Sequence, residues 1–209
     1  MRIARLLPLS GIAFVALVVL SIGAGGGTPD PAAPAEEVLA FYEDEIGRQR
    51  LAAYVLAASM PFLLFFASSL AAFRWPGDPD ARPAWRRVFL GGSVIAAATI
   101  AIGVLTRLAL ASGADGGTTA EGLQALNVLD SHVVYALVAS FGVMMLGAAG
   151  CLLGREGVHG WLGWIALALG VALFLPFLGV LALLLSALWI IATSVALFAA
   201  VGSPGARSY

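Results

Sequence analysis

The chain has little charge and few of the polar residues that soluble domains carry. Only 11% of its 209 residues are charged and 61% are hydrophobic, whereas charged residues make up about a quarter of an ordinary soluble domain. A water-soluble globule of this length could not bury so much apolar surface. The net charge of −1 provides no strong field for attracting nucleic acid. These deficits exclude a soluble domain and leave no basis for nucleic-acid binding.

Cysteine and histidine are also scarce, and lysine is absent. Cys151 is the single cysteine, so neither an internal disulfide nor a cysteine metal cluster can form. The two histidines, His132 and His159, have no second histidine or cysteine at a ligand spacing, and we expect no metal, haem or other cofactor. No nucleophile-elbow, Walker, zinc-protease or dinucleotide-binding motif occurs. We therefore expect no catalytic residues and no enzymatic activity.

Long apolar runs, separated by short polar segments, dominate the chain instead. A helix needs about 20 apolar residues to cross about 30 Å of hydrocarbon. We predict an all-α, polytopic transmembrane bundle in a single membrane domain, 1–209, with the lipid bilayer as its main partner. The predicted spans are residues 6–24, 51–73, 88–111, 132–153, 158–175 and 178–201.

Two of these spans have alternatives. Residues 6–24 follow Arg2 and Arg5 and lead into small residues, which is also typical of a cleaved signal peptide. We favour a retained span, because about 19 apolar residues is long for a signal core. The last apolar run, 161–201, is too long for one crossing and has Pro176 near its middle. We predict a helical hairpin that turns there, with one long kinked helix as the alternative.

An amphipathic helix is predicted ahead of the second span. Pro34 suits a helix start, and the two glutamates after it favour the first turn. Apolar residues then recur at helical spacing: Val38, Leu39, Tyr42 and Ile46. We interpret residues 35–49 as a helix lying on the membrane surface, with a continuous extension of the second span as the alternative.

The placement of arginine predicts the orientation, because cytoplasmic loops carry an excess of basic residues. One arrangement places eight arginines on the same side: Arg2, Arg5, Arg74, Arg82, Arg86, Arg87, Arg155 and Arg207. The opposite side keeps Arg48, Arg50 and Arg107. We therefore predict a bacterial plasma-membrane protein with both termini in the cytoplasm. Residues 35–49 and a loop followed by a short helical stretch at 112–131 would form its outer face.

Arg107 is the one arginine inside a predicted span. It lies about one turn from the outer end of that span, where its guanidinium can reach the interface, so pinning of helix ends is the simpler interpretation. Spans three and four are consecutive and antiparallel, which places Arg107, Asp130 and His132 near one depth. We take these three residues as a candidate polar cluster at the outer rim. Such a cluster could bind an anion or sense pH, since histidine titrates near neutrality.

Small residues at four-residue intervals, such as Ala166 and Gly170, let helices approach closely in lipid. They favour a tight bundle, and less strongly self-association or contact with another membrane protein.

Three short segments carry a family resemblance. They are the acidic-aromatic stretch 36–42 with Arg48 and Arg50, Asp130 before span four, and the sequence Gly-Trp-Leu-Gly-Trp at 160–164. From about residue 35 onward the chain resembles the DUF4386-like six-span membrane proteins of actinobacteria. The resemblance implies location and number of spans, and it brings no established activity.

We expect a multi-pass membrane protein with a structural, accessory or sensing role. The alternative is a small transporter or channel that uses the Arg107, Asp130 and His132 cluster, and a lipid enzyme ranks third. A pore requires a polar stripe along at least two spans, and the hydroxyl residues in the spans are too scattered to form one convincingly.

Overall fold

A computed structural model describes residues 6–73, 83–153 and 158–202. Predictions for the remaining residues, including the arginine-rich loop at 74–82 and Arg155, lie outside this part of the chain, as does the side chain of His159. The described residues fold into helices and turns only. After a short 3₁₀ turn (Leu7–Leu9) come α1 (Ser10–Gly25), α2 (Ala35–Ala72), α3 (Pro83–Asp115), α4 (Ala120–Leu152), α5 (Val158–Ala172) and α6 (Gly179–Gly202). The all-α prediction is confirmed.

Five helices are long and apolar enough to cross a membrane: Leu7–Gly25, Ala35–Ala72, Pro83–Asp115, Ala120–Leu152 and Gly179–Ala200. Large apolar side chains are exposed along them, among them Leu105 on α3 and Leu184 and Leu188 on α6. Soluble proteins do not leave such extended apolar surface in water. The fold is therefore that of a multi-pass membrane protein. At 15 residues, α5 is only about 22 Å long and is shorter than the hydrocarbon layer.

The segments that precede two of the predicted spans are continuous with those spans in the structure. Residues 35–49 are the first part of the continuous, 38-residue α2, as in the alternative interpretation. The helical stretch predicted after Thr119 is the start of α4, which begins at Ala120, and the loop before it is shorter than predicted because α3 continues to Asp115. The turn between them is set by Gly117 (φ 75°), a left-handed conformation in which glycine is unstrained. It brings the Thr118 N–H within 2.9 Å of the Gly113 carbonyl oxygen and ends α3.

Part of α2 lies outside the hydrocarbon. Its length is about 57 Å at 1.5 Å per residue, nearly twice the thickness of the apolar layer. All of its charged residues fall within 36–50, so the uncharged remainder of the helix, which ends at Ala72, coincides with the predicted span 51–73. By the same reasoning, the first turns of α4 precede the span 132–153.

The chain divides into two compact units, and helices α1 to α4 each contribute to both. The first unit comprises Met1–Val15, Pro61–Ala97 and Val138–Tyr209. In this unit α3 and α4 meet without intervening side chains. A Cβ added to Gly92 would lie 2.5 Å from the Met144 backbone nitrogen, and one added to Gly147 would contact the Phe89 backbone. Two glycines, one on each helix, therefore permit the close crossing.

The second unit comprises Ala16–Met60 and Ala98–Leu137. Its apolar core is formed by Ala33, Val38, Tyr42, Leu110, Ala114 and Leu123, with Leu39, Phe41 and Leu126 packed against it. The apolar face of residues 35–49 is thus covered by α3 and α4. The amphipathic pattern predicted a buried face correctly, but that face packs against protein and not against a membrane surface.

Candidate functional site

The first turns of α4 carry a row of polar residues at three-residue spacing, which places them on one side of the helix. Gln124 donates its side-chain N–H to the Ala33 carbonyl oxygen at 2.9 Å. The Asn127 amide donates to the carbonyl oxygens of Pro29 and Asp30, each at 3.3 Å. These bonds fix the proline-rich segment between α1 and α2 onto α4. The third residue of the row is Asp130.

Asp130 faces Arg107 on α3. The Arg107 Nε lies 3.7 Å from the Asp130 Oδ2, and the two side chains are 26% and 9% exposed. This distance is that of an ion pair and is longer than a direct hydrogen bond. Burial raises the pKa of the Asp130 carboxyl, and the positive charge of Arg107 opposes that rise. The carboxyl therefore takes up a proton at a higher pH than an exposed aspartate does.

Tyr42, on α2, lies within electrostatic reach of this pair. Its side chain is fully buried, and its hydroxyl has no hydrogen-bond partner among the described residues. Burial, with a smaller contribution from Asp130, raises the pKa of Tyr42 to about 12. The phenol therefore stays neutral at physiological pH and can still donate or accept a hydrogen bond.

Gln49 lies two turns further along α2 and holds the end of α1. Its Nε2 donates to the Gly25 carbonyl oxygen at 2.8 Å, one of the carbonyls that a helix end leaves without a partner. Its Oε1 is buried and has no partner in the described part of the chain. A Cβ added to Gly25 would lie 3.8 Å from Gln49 Oε1 and 4.0 Å from Arg107 Nη1. Arg107 and Gln49 therefore approach the same helix end.

The cluster seen in the structure differs in membership from the one predicted from the sequence. From here on, the polar cluster means Tyr42, Gln49, Arg107 and Asp130. It offers a guanidinium, a carboxyl, a neutral phenol and an amide oxygen, contributed by three helices, and its Gln49 and Arg107 approach the end of a fourth. Two of its buried oxygens have unused hydrogen-bonding capacity, which is unusual for buried polar atoms. These groups could respond to protonation of the carboxyl, or they could bind a small polar molecule.

The structure brings together two of the three residues singled out from the sequence. His132 lies elsewhere, because residues two positions apart in a helix do not face one another. Its Nδ1 is 2.7 Å from the Val128 carbonyl oxygen and 3.1 Å from the Ser131 hydroxyl, and its side chain is exposed. The ring packs beside Tyr135. His132 is therefore an exposed neighbour of the polar cluster and not a member of it.

The other arginines of the second unit form exposed contacts. Arg50 pairs with Asp115 at 2.8 Å, and Arg48 pairs with Glu45 at 3.0 Å. Arg48 also donates from Nε to the Ala24 carbonyl oxygen at 3.2 Å, where the α1 helix dipole favours a cation. In the described residues, no three His, Cys, Asp or Glu side chains converge in a way that could hold a metal ion.

Comparisons with protein-family models, with curated proteins and with solved structures gave no match. The resemblance to the six-span actinobacterial proteins therefore stays a prediction.

Sequence reasoning missed Tyr42, Gln49 and Asn127. The spacing Gln124, Asn127 and Asp130 directly before an apolar run was the available signal for a polar helix face. Tyr42 and Gln49 gave no comparable signal, because a tyrosine among apolar residues and a glutamine between two arginines both have ordinary surface or core roles.

Proposed function

We propose that this protein is a non-enzymatic accessory or sensing protein of the bacterial plasma membrane, and that the polar cluster is its responsive part. The observation that carries the proposal is the partly buried Arg107–Asp130 contact at 3.7 Å, beside a phenol and an amide with unused hydrogen-bonding capacity. Incompletely satisfied polar networks in a low-dielectric environment are costly. Protonation of Asp130, or binding of a polar molecule, therefore changes the free energy of the polar cluster substantially.

The contacts of α4 connect the polar cluster to the segment between α1 and α2. Asp130 lies one turn after Asn127, whose amide holds the segment between α1 and α2. When the carboxyl is neutralised, the attraction between α3 and α4 at Arg107 is lost. A small movement of α4 then changes the position of that segment, which is the surface we assign to partner recognition.

The location rests on the distribution of arginine and on the residues outside the hydrocarbon. The first part of α2 is acidic, with two glutamates in its first turn, and the predicted cytoplasmic loops hold most of the arginines. We therefore assign the polar cluster to the outer side of the plasma membrane.

The test compares two neutralising substitutions, Asp130→Asn and Asp115→Asn, in native membranes. Both carboxylates pair with an arginine, but the Asp115 side chain is 59% exposed. Partners are captured by cross-linking and identified by mass spectrometry. We expect a defined membrane partner whose recovery changes with Asp130→Asn and not with Asp115→Asn. Equal recovery from both variants would contradict a responsive role for the polar cluster.

A small transporter is the second candidate. It is favoured by the Thr193 and Ser194 hydroxyls of α6, which are buried and have no hydrogen-bond partner among the described residues. Purified protein in proteoliposomes separates the two functions. Solute movement that depends on Arg107, or on the Thr193 and Ser194 hydroxyls, would establish transport and reject the accessory role. Tight vesicles together with a captured partner would support the accessory role.

A further inference from the structure

Two side-chain oxygens of the polar cluster are buried without a hydrogen-bond partner in the described part of the chain. They are the Tyr42 hydroxyl and the Gln49 Oε1, and both side chains are fully buried. Native proteins leave few buried polar atoms in this state, because the lost contact with water is then not offset. The two oxygens therefore indicate a partner other than the protein itself.

The orientation of the Gln49 amide is determined by its hydrogen bond to the end of α1. The Gly25 carbonyl oxygen can only accept, so the amide nitrogen must face it, at 2.8 Å. A flipped amide would place two oxygens against each other. The Gln49 Oε1 is therefore the atom that still needs a donor.

Arg107 also has hydrogen-bonding capacity left. A guanidinium carries five N–H donors, and the approach of its Nε to the Asp130 Oδ2, at 3.7 Å, is too long for a direct hydrogen bond. Polar contacts beyond about 3.5 Å are often bridged by water. The Arg107 side chain is 26% exposed, so water can reach it from outside.

Gln49 and Arg107 meet beside Gly25. A Cβ added to Gly25 would lie 3.8 Å from Gln49 Oε1, 4.0 Å from Arg107 Nη1 and 3.2 Å from the Ala52 Cβ. Because glycine has no side chain, a small space remains that an acceptor, a donor and a methyl group border. A water molecule there can accept from the guanidinium and donate to the amide oxygen. A simple anion or a metal cation could satisfy only one of the two.

Tyr42 provides a further partner on the same helix face. Tyr42 and Gln49 are seven residues apart, which is about two helical turns, so both lie on one side of α2. Arg107 and Asp130 both act electrostatically on Tyr42, which places the phenol near the pair. Its hydroxyl is a donor and an acceptor and can therefore continue a network of water molecules toward Asp130.

We propose that the polar cluster binds ordered water, with one molecule between Gln49 Oε1 and Arg107 Nη1 beside Gly25 and at least one more on the Tyr42 hydroxyl. Buried water typically makes about three hydrogen bonds to polar groups that the protein leaves unsatisfied. This inference deepens the proposed function and rests on it in one respect, the responsive role of the polar cluster. Water is then the exchangeable component of the network, and it reorients or leaves when Asp130 changes charge.

A high-resolution crystal structure tests the site beside Gly25. We expect a water peak at about 2.7–3.2 Å from both Gln49 Oε1 and Arg107 Nη1. Gly25→Ala should remove the peak, because the added methyl group occupies the same space. Gly23→Ala is the matched control on α1, since its Cβ would have nothing within 4 Å, and it should keep the peak. A direct bond from a protein donor to Gln49 Oε1 would overturn the proposal, as would an empty site in a structure that shows other buried water.

Radiolytic labelling in solution tests the water on Tyr42. X-rays convert water to hydroxyl radicals, which oxidise the side chains beside them, and mass spectrometry measures the rate of oxidation. Tyr42 and Phe66 are both aromatic and fully buried, so Phe66 is the dry reference. After correction for intrinsic reactivity, we expect Tyr42 to be oxidised several-fold faster than Phe66. Equal rates would overturn the placement of water on Tyr42.

These measurements do not depend on the capture of a partner. A dry polar cluster would overturn this inference alone and leave the comparison of Asp130→Asn with Asp115→Asn to decide the proposed function. Failure of that comparison, with the water peak present, would keep the water site and remove its role in a response.

Discussion

The Asp130 carboxyl lies between a cation and a low-dielectric environment. Its side chain is 9% exposed and its partner Arg107 is 26% exposed, so water screens the pair less than it screens Arg50 and Asp115. Removal of one member of a buried pair leaves the other charge uncompensated, which is the costly outcome.

We predict that Arg107→Leu lowers the free energy of unfolding by about 1–3 kcal/mol, below the 3–5 kcal/mol of a completely buried pair because Arg107 is partly exposed. The thermal unfolding midpoint in detergent measures the effect. Arg50→Leu is the matched control and should cost less than about 1 kcal/mol, since its partner Asp115 is mostly exposed. The double variant Arg107→Leu/Asp130→Leu should recover part of the loss. Equal losses in the free energy of unfolding for Arg107→Leu and Arg50→Leu would show that burial of the Arg107–Asp130 pair does not contribute to stability.

Tyr42 gives a second prediction, in alkaline solution. The pKa of Tyr42 rises from 10.0 to about 12 on folding, so between these pH values the folded protein keeps a proton that the unfolded chain releases. The free energy of unfolding therefore falls as pH rises from 10 to 12, by about 2–3 kcal/mol in total. Unfolding midpoints of the wild type and of Tyr42→Phe across this range measure the effect.

Tyr42→Phe should lack this alkaline loss, so the two midpoint curves diverge above pH 10. Parallel curves for Tyr42→Phe would mean that the phenol titrates in the folded protein as it does in water.

At the scale of the helices, the close crossing of α3 and α4 depends on glycine. Gly92 and Gly147 leave no room for a methyl group against the backbone of the facing helix, whereas a Cβ on Gly91 would have nothing within 4 Å. We predict that Gly92→Ala and Gly147→Ala each destabilise the protein by about 1–3 kcal/mol through overpacking. Gly91→Ala should be neutral or slightly stabilising, because alanine is the better helix former.

Folded yield and unfolding midpoint in detergent check this prediction for the three variants. A midpoint for Gly92→Ala equal to that of Gly91→Ala would mean that α3 and α4 can separate without cost.

The sequence predicted the apolar part of most helices well, because a helix needs about 20 apolar residues to cross the bilayer. It also predicted that Arg107 and Asp130 approach one another, since consecutive antiparallel spans place them at one depth. The amphipathic pattern of residues 35–49 identified a buried face but not what covers it, because Leu110 and Leu123 are distant in the sequence. Helix α5 begins at Val158 as predicted and ends at Ala172, three residues before the predicted end, because the turn around Pro176 starts earlier than the proline itself indicates.

At the scale of the molecule, lipid is the solvent that the described surface requires. Exposed leucine, valine and phenylalanine cover α6, and charge is concentrated near the helix ends. Lipid does not drive apolar helices together as water does, so helix association depends on close packing and interhelical hydrogen bonds. The bond from the Ser21 hydroxyl to the Ala52 carbonyl oxygen at 2.8 Å and that from Trp189 Nε1 to the Leu162 carbonyl oxygen at 2.8 Å provide such links.

The most direct test of the whole account is labelling of single cysteines with an impermeant maleimide in intact cells. Gly27→Cys and Asp80→Cys, in the Cys151→Ala background, report on the two predicted sides of the membrane. We predict that the membrane fraction contains all of the protein, that position 27 is labelled at once and that position 80 is labelled only after the cells are permeabilised. Labelling of position 80 in intact cells would contradict the orientation, and recovery of the protein from the soluble fraction would contradict its placement in lipid.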